Sequence, residues 1–392
     1  MFRTAVGLGL TSFGGPTAHL GYFHRTYVER KKWLDDAAYA DLVALAQFLP
    51  GPASSQVGMA IGIARGGMIG GLLAWIGFTL PSAWVMIVFA AYIRDISFSG
   101  AAWLHGLKLV AAAVVAQAVY TMAGRLAPDR PRATIAVLSA ALSLLWPAAG
   151  SQAVIIVLAA LIAFIRYRKD LPEEGPAAFS VGIGRRTGII ALLFFFALLL
   201  LMPLLETRLA SALAPLLPET FLPLFNRFYR VGSLVFGGGH VVLPLLEREV
   251  VPTGWVRTDD FLAGYGLAQA IPGPLFAFAG FLGQLIAGLP GAIVALLAIF
   301  LPGALLIVGV LPFWSAVRRS RPARAALRGA GAAVVGLLFA ALYDPLWTHT
   351  VASAIDVVIV SVLYLLLHVW RVPPVVVVLA GALLAEGSAM MR

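Results

Sequence analysis

The chain has 392 residues, of which 61% are hydrophobic and only 12% are charged, and its mean hydropathy is +0.93. Soluble domains carry roughly 25% charged residues, so this composition excludes a soluble protein and indicates many membrane-spanning helices. The formal net charge is +10, but no basic, aromatic-rich soluble segment is present that would bind nucleic acid. The absence of cysteine excludes disulfides, thiol catalysis and cysteine-ligated metals.

The first predicted elements are two helix-breaking motifs. Residues 13–15 read Phe-Gly-Gly and residues 50–52 read Pro-Gly-Pro, with Gln47 three positions before the second motif. The stretches on either side of it, 36–48 and 53–64, are apolar at helical spacing but too short to cross a ~30 Å hydrocarbon core. Proline cannot continue the first helix, whereas it suits the first turn of the next. We therefore predict two short helices broken at membrane depth.

Longer apolar runs follow, each close to the ~20 residues that a spanning helix needs. In the first half the predicted spans are 66–94, 103–124, 133–147 and 151–165. A polar linker then begins near residue 166, followed by one further span, 188–205, and an amphipathic stretch, 206–222. In the second half the predicted spans are 290–314, 329–343, 350–369 and 373–391. The fold class that this indicates is an all-α polytopic membrane protein.

The second half repeats the landmarks of the first. Phe-Gly-Gly recurs at 236–238 and Pro-Gly-Pro at 272–274, preceded by Gln269 and flanked by the short apolar stretches 259–270 and 275–287. A tryptophan and a Leu-Pro pair also recur, as Trp33 and Trp255, and as Leu80-Pro81 and Leu301-Pro302. The offset between matching residues falls only from 223 to 221, which indicates a tandem duplication. The predicted units are an N-terminal repeat (1–166), a linker with one extra span (167–222) and a C-terminal repeat (223–392).

Loop charges indicate that the two repeats are inverted. Residues 24–32 and 315–328 are rich in Lys and Arg, whereas 247–260 is acidic and 95–102 carries neither Lys nor Arg. Basic loops stay on the cytoplasmic side, so the charge bias changes side between the repeats. The number of spans agrees with inverted repeats if the Phe-Gly-Gly segments are re-entrant. Each repeat then has four spans, and the single span at 188–205 inverts the second repeat. If those segments cross fully, residues 206–226 must cross as well.

Gly- or Pro-interrupted segments at matching positions are the best sequence pointer to a transporter's substrate site. A helix that begins at such a break presents unpaired N–H groups and the positive end of its dipole, which favour an anion. Ser54 and Ser55 add hydroxyl groups in the first repeat, while the second repeat offers Gln269. The glycines allow close approach, and successive N–H groups in such turns form anion-binding nests. Close helix packing at the same glycines is the alternative.

A few ionisable residues inside apolar stretches complete the candidate set. His19 and Arg25 flank the first Phe-Gly-Gly motif and His240 the second, although snorkelling to the interface is the alternative for Arg25. No catalytic triad spacing, phosphate loop or metal-ligand cluster occurs in the sequence, so we predict no enzyme, no cofactor and no metal site. The candidate substrate-binding residues are Gly14, Gly15, His19, Arg25, Gln47, Gly51, Ser54, Ser55, Gly237, Gly238, Gly239, His240, Gln269 and Gly273.

These motifs resemble the paired signatures of the chromate ion transporter (CHR) family. The matching strings are SFGGPTAHL at 12–20, Trp33 and QFLPGP at 47–52, then FGGGHVVLP at 236–244, Trp255 and LAQAIPGP at 267–274. The resemblance is close over 7–84 and 229–305 and extends over the whole chain as that of a two-copy, long-chain member. It implies that the functional residues are the glycines, the two glutamines, the Pro-Gly-Pro positions, His19, Arg25 and His240.

The resemblance implies a multi-pass carrier in the bacterial inner (plasma) membrane that exports chromate, with sulfate as its structural mimic. The electrochemical gradient, rather than ATP, would power it. The expected partners are the anion and the lipid bilayer, while a proton as coupling ion and a homodimer are left open. Two alternatives remain, a transporter of sulfate or a related oxyanion and a non-transporting membrane scaffold. The scaffold alternative leaves the duplicated breaks unexplained.

Overall fold

The computed structural model describes residues 1–95, 102–146, 151–167, 179, 181–213, 218–235 and 242–390. Every regular element within these ranges is helical. In the described part of the chain, five helices are long and apolar enough to cross a membrane, and Ser151–Tyr167, Ala354–His368 and Pro374–Met390 are shorter apolar helices. The prediction of an all-α polytopic membrane protein is confirmed.

The helices follow the two halves and the linker of the sequence. The first half contains α1 (Phe2–Thr11), α2 (Gly15–Phe23), α3 (Asp36–Phe48), α4 (Ala53–Asp95), α5 (Ala102–Leu126), α6 (Arg130–Leu145) and α7 (Ser151–Tyr167). A single helix, α8 (Arg185–Leu213), follows and includes the predicted span 188–205. The second half contains α9 (Phe221–Leu234), α10 (Val242–Val250), α11 (Thr258–Ala270), α12 (Phe278–Val310), α13 (Trp314–Arg319), α14 (Arg321–Ala341), α15 (Thr348–Thr350), α16 (Ala354–His368) and α17 (Pro374–Met390). Short 3₁₀ or π-helical turns adjoin them at His24–Arg30, Leu275–Ala277, Leu311–Phe313 and Leu342–Trp347.

The first Pro-Gly-Pro motif breaks the chain at the predicted place. α3 begins after Asp35, whose side chain accepts a backbone N–H from the first turn. It ends at Phe48, since Pro50 disfavours helical backbone at the residue before it. α4 begins at Ala53, directly after the motif, and is interrupted at Gly67, whose φ of 61° suits glycine.

The interruption in α4 reverses the direction of the chain. Gly62 and Gly70 lie so close that the carbonyl oxygen of Gly70 leaves no room for a Cβ on Gly62. In a continuous helix these residues would be about 12 Å apart. At the end of the first arm (53–65), the Arg65 guanidinium lies 5.3 Å from the ring centroid of Trp33, which precedes α3. α3 and this arm therefore enter and leave at the same end, as a re-entrant hairpin.

The second half builds the same hairpin. α11 ends at Ala270 before the second Pro-Gly-Pro motif, and α12 is interrupted at Gly288. The φ and ψ angles of Gly288 are 65° and −161°, against 61° and −158° at Gly67. The predicted short helices 36–48 and 259–270 agree with α3 and α11 to within one residue. The duplication therefore extends from the motifs to the backbone conformation.

A pair of helices flanks each Phe-Gly-Gly motif. In the first half, Gly14 and Gly15 have φ angles of 89° and 76° between α1 and α2. In the second half, α9 and α10 flank the motif, and residues 236–241 lie outside the described ranges. An ion pair of 2.5 Å from Arg230 of α9 to Glu249 of α10 joins these two helices. α10 therefore returns along α9, which agrees with a re-entrant segment.

Charged contacts mark one end of the helix bundle, which we call the basic end. There His24 lies 2.7 Å from Asp36 at the start of α3. Arg318 of α13 pairs at 2.5 Å with Asp41, which also belongs to α3. The two Lys- and Arg-rich segments of the sequence, near residues 30 and 318, therefore lie at the same end of the bundle, as the charge pattern predicts.

The opposite end, which we call the acidic end, carries the loop 247–260. Asp259 pairs there with Lys108 of α5 at 2.5 Å. α14 begins just after Arg318, and its 21 residues are about 30 Å long. Asp344, which follows α14, acts electrostatically on Glu247. The basic and acidic loops are thus about a membrane thickness apart, as inverted repeats require.

Four helices of each half run between the two ends. In the first half they are the second arm of α4 (68–95), α5, α6 and α7, and in the second half the second arm of α12 (289–310), α14, α16 and α17. Tyr167 of α7 bonds Asp129 beside α6 at one end, while Arg248 bonds Ser143 of α6 and Ser151 of α7 at the other. Four helices between the two ends in each half, with the single helix α8 between the halves, agree with an inverted second repeat.

Single cysteines introduced into this cysteine-free chain test the placement of the two ends. Arg30→Cys, Arg319→Cys and Thr253→Cys each place a thiol at an exposed position. We expect an impermeant maleimide to label the first two from the cytoplasmic side and the third from the opposite side only. Vesicles of each orientation, sealed and detergent-opened, supply the controls. Labelling of all three from one side would contradict the inverted repeats.

Candidate functional site

Two reciprocal backbone hydrogen bonds join the hairpin tips of the two repeats. The N–H of Gly51 in the first Pro-Gly-Pro motif donates to the carbonyl oxygen of Val235 at 2.7 Å, directly before the second Phe-Gly-Gly. The N–H of Gly273 in the second Pro-Gly-Pro motif donates to the carbonyl oxygen of Ser12 at 2.9 Å, directly before the first Phe-Gly-Gly. Four tips therefore meet in pairs, and each pair takes one tip from each repeat.

Only glycine fits at the two donor positions. Gly51 and Gly273 have φ angles of 121° and 105°, which residues with a side chain rarely adopt. A Cβ on Gly51 would lie 3.1 Å from the Cα of Gly303, and a Cβ on Gly273 would lie 2.7 Å from Ser82 Oγ. Gly303 and Ser82 directly follow the matching Leu-Pro pairs. Each Pro-Gly-Pro tip therefore packs against the long helix of the opposite repeat.

A buried polar cluster surrounds the break in the first repeat. His19 of α2 is 1% exposed, and its Nδ1 lies 3.4 Å from Ser54 Oγ on α4. Ser55 is also buried, and no described residue bonds its hydroxyl group. Gln56 donates from Nε2 to the carbonyl oxygen of Pro50 at 2.9 Å, while its buried Oε1 has no partner in the described ranges. Buried polar atoms without partners are uncommon, so these atoms are available for a ligand.

The first turn of α4 adds backbone donors to this cluster. The first helical bond runs from the N–H of Gln56 to the carbonyl oxygen of Pro52 at 2.9 Å. The N–H groups of residues 53–55 precede it and have no acceptor within the helix. They also form the positive end of the helix dipole, which favours an anion. Backbone and hydroxyl donors therefore occupy the same helical turn.

The sequence pattern does not single out two further hydroxyl groups beside the tips. Ser12 Oγ and Thr79 Oγ1 are buried and lack partners within the described part of the chain. Ser82 Oγ, which faces the Gly273 tip, donates to the carbonyl oxygen of Thr79 at 3.0 Å. Thr79 and Ser82 are one helical turn apart around the recurring Leu-Pro pair. That spacing is the signal that could have identified Thr79 and Ser82.

The second repeat offers fewer polar side chains. Residues 275–277, Leu-Phe-Ala, match 53–55 and are buried. Gln269 is partly buried and hydrogen-bonds with Tyr265, and its Nε2 has no partner among the described residues. The two Pro-Gly-Pro tips are therefore related in backbone but not in side-chain chemistry, and most of the polar atoms belong to the first repeat.

Of the other candidates, two are exposed and four lie outside the described residues. Gln47 is exposed near the end of α3, and Arg25 is exposed in the π-helical turn at the basic end. The residues outside the described ranges are Gly237, Gly238, Gly239 and His240. The candidates that the structure brings together at the tips are Gly14, Gly15, His19, Gly51, Ser54, Ser55, Gln269 and Gly273.

Two apolar clefts are separate from the polar cluster. One of 450 Å³ is lined by α5, α6 and α14, and another of 380 Å³ is lined by α4, α9 and α12. Their lining residues are apolar apart from Trp75 in the second cleft, whose buried Nε1 has no partner among the described residues. One indole N–H does not supply the several hydrogen-bond donors that a buried anion requires.

Gly273→Ala tests the tip contact. The added methyl group meets Ser82, and the left-handed backbone alone costs about 1–2 kcal/mol. We expect a lower unfolding temperature for the purified protein in detergent. Gly21→Ala in α2 is the matched control, because nothing lies within 4 Å of its Cβ position and alanine favours the helix. Equal unfolding temperatures for the two variants would contradict the tip contact.

Comparison with known proteins identifies relatives over most of the chain. The chromate transport protein of Pseudomonas aeruginosa is 28% identical over 351 residues, which cover 88% of this chain and 80% of that protein. The chromate transport protein of Cupriavidus metallidurans is 29% identical over 346 residues, which cover 86% and 79%. A probable chromate transport protein of Synechococcus elongatus is 30% identical over 315 residues, which cover 78% and 74%. No solved structure matches this chain.

A family model confirms the resemblance that the paired motifs indicate. The model described as "Chromate transporter" matches residues 1–165 and 222–385. These two regions contain every Phe-Gly-Gly and Pro-Gly-Pro motif and both landmark tryptophans. The match covers well over half of the chain, and the chain therefore belongs to the chromate transporter family.

Proposed function

We propose that this chain is a secondary-active transporter that exports chromate, a tetrahedral divalent oxyanion, across the bacterial inner membrane and so confers chromate resistance. The observation that carries the proposal is the set of buried donors without partners in the described part of the chain, beside the two places where tips of opposite repeats meet in pairs. Membership of the chromate transporter family supports chromate as the anion.

The polar cluster supplies what an oxyanion needs when it leaves water. An anion that loses its hydration shell must regain hydrogen bonds inside the protein. The N–H groups of residues 53–55 and the hydroxyl groups of Ser54 and Ser55 donate to its oxygens in this proposal. His19, in contact with Ser54, orients that hydroxyl or, when protonated, adds positive charge. Gln269 contributes Nε2 at the matching tip.

The proposed site also includes the glycines of both motifs, because they let the backbone approach the anion closely. These are Gly14, Gly15, Gly51, Gly237, Gly238, Gly239 and Gly273, with His240 beside them by the symmetry of the repeats. Arg25 and Gln47 stay predictions as ligands. Their exposed positions favour a role in guiding the anion rather than in holding it at the tips.

The charges at the two ends support the proposed direction of transport. Exposed Arg30, Lys31 and Arg319 at the basic end raise the local concentration of a dianion. Basic loops face the cytoplasm, so the anion would be collected inside the cell. Alternating access would then expose the tips to each end in turn, by tilting of one repeat against the other. The electrochemical gradient supplies the energy, with a proton as the proposed coupling ion.

Sulfate transport is the second candidate function. Sulfate has the charge and tetrahedral shape of chromate, so the same N–H and hydroxyl donors would bind it. A membrane scaffold without transport would need neither the donors nor the reciprocal tips.

Radiotracer chromate flux in proteoliposomes tests the proposal. We expect chromate uptake into vesicles with the cytoplasmic side outward when a pH gradient or a membrane potential is imposed, and weaker inhibition by sulfate than by unlabelled chromate. Protein-free vesicles give the background. Stronger inhibition by sulfate would make sulfate the substrate. If correctly folded protein gave no more flux than protein-free vesicles under every gradient, that result would contradict transport.

Ser55→Ala tests the hydroxyl group as a ligand. A hydrogen bond to a charged ligand contributes about 1.5–3 kcal/mol, so we expect chromate affinity to fall roughly ten- to hundredfold. Folding should be unchanged, because no described residue bonds this hydroxyl group. Ser361→Ala is the matched control, since that exposed hydroxyl bonds the carbonyl oxygen of Val357 in its own helix. Equal chromate affinity in both variants, measured by equilibrium dialysis, would rule out Ser55 as a ligand.

A further inference from the structure

A buried carboxylate near the basic end accepts hydrogen bonds from three donors that lie in two distant parts of the chain. Asp41 of α3 is 3% exposed. Its oxygens accept from Arg318 Nη1 at 2.5 Å, from Trp314 Nε1 at 3.1 Å and from the backbone N–H of Phe179 at 3.0 Å. Trp314 and Phe179 are buried too. The sequence pattern does not single out Asp41, because all three partners are distant in the chain.

These donors are of the kinds that hold oxyanions in proteins. A guanidinium group combines positive charge with directional N–H groups, and an indole N–H and a backbone N–H add neutral donors. The carboxylate of Asp41 is itself a small oxyanion. It therefore occupies a position where a tetrahedral dianion would find the same three partners. Arg319, Arg321 and Arg324 follow in sequence, and their charge favours a dianion over a single carboxylate.

Asp41 lies on the way from the basic end to the hairpin tips. Phe48 lies seven positions after Asp41 in α3, a distance of about 10 Å along the helix. The Pro-Gly-Pro break follows Phe48 directly. The ring of Trp314 contacts Phe48, with 5.4 Å between ring centroids, while its Nε1 bonds Asp41. One side chain thus connects the carboxylate with the start of the break.

The duplicated fold does not require this cluster. The repeat offset matches Asp41 with Ala263 and Trp314 with Ile93. Neither alanine nor isoleucine has a side chain that accepts or donates a hydrogen bond. The reciprocal bonds at the tips are kept in both repeats, whereas this cluster belongs to the basic end. A role that serves one end of the transporter explains that difference.

We propose that Arg318, Trp314 and the Phe179 N–H form an outer binding site for a divalent tetrahedral oxyanion, and that Asp41 occupies this site as an internal ligand until the anion displaces it. The inference rests on the proposed function in one respect, the chemical class of the substrate. Displacement of Asp41 releases α3 from α13. The anion can then pass along α3 from the basic end toward the tips. The pairing of Asp41 with Arg318 then keeps the basic end closed when no anion is present.

Asp41→Asn tests the outer site, because it removes the negative charge and keeps the shape of the side chain. Binding of radiolabelled sulfate and of chromate to the purified full-length chain is measured by equilibrium dialysis. We expect a second anion to bind per chain in Asp41→Asn, and this second site to be lost again when Arg318→Gln is added. Asp129→Asn is the matched control: it removes one carboxylate, paired with Arg132, at the same end of the bundle.

The folded fraction is determined by size exclusion for every variant, and Asp41→Ser is measured in parallel as a second neutral substitution. No second anion in either folded Asp41 variant would overturn the outer site. So would a second anion that persists after Arg318→Gln or that appears equally in Asp129→Asn. The proposed transport is judged separately by flux of the unsubstituted chain. Absent flux together with Arg318-dependent binding would reject transport and keep the outer site.

Discussion

The structure depends on how backbone groups at the hairpin tips are satisfied. A re-entrant hairpin interrupts helical hydrogen bonding at membrane depth, where no lipid can replace the lost partners. Here the N–H of Gly51 bonds the carbonyl oxygen of Val235, and the N–H of Gly273 bonds that of Ser12. Neither repeat can make these bonds alone, because each needs a tip that enters from the opposite end. The inverted duplication and the broken helices are therefore one structural solution.

The same bonds determine which groups remain for a ligand. They use the glycine N–H of each break and leave the following turn, residues 53–55, with donors that no helical carbonyl accepts. The side chains then distinguish the two tips. Ser54 and Ser55 make the first tip polar, whereas the corresponding residues 275–277 are apolar. A symmetric backbone thus presents one strongly polar surface, which suits a single anion better than two equivalent ones.

Local chemistry made much of this fold predictable. The Pro-Gly-Pro motifs end α3 and α11, so both helices agree with their predicted bounds to within one residue. Contacts between distant segments could not be predicted, because nothing in the sequence says which tips meet. Asp41 went unrecognised for the same reason, since its partner Arg318 is in the other repeat. Arg25 was predicted from its nearness to Gly14 in sequence, but the π-helical turn places it at the basic end.

α8 has a consequence for how the chain enters the membrane. Only 17% of its apolar window is buried, so it adds little to the packed core. Each repeat crosses an even number of times and would return the chain to its starting side. One additional crossing therefore obliges the second repeat to insert upside down, whatever its loop charges favour. The orientation of the second repeat is therefore specified twice, by the number of preceding membrane crossings and by the basic residues of the loops. The loss of one loop charge during evolution need not turn a repeat over.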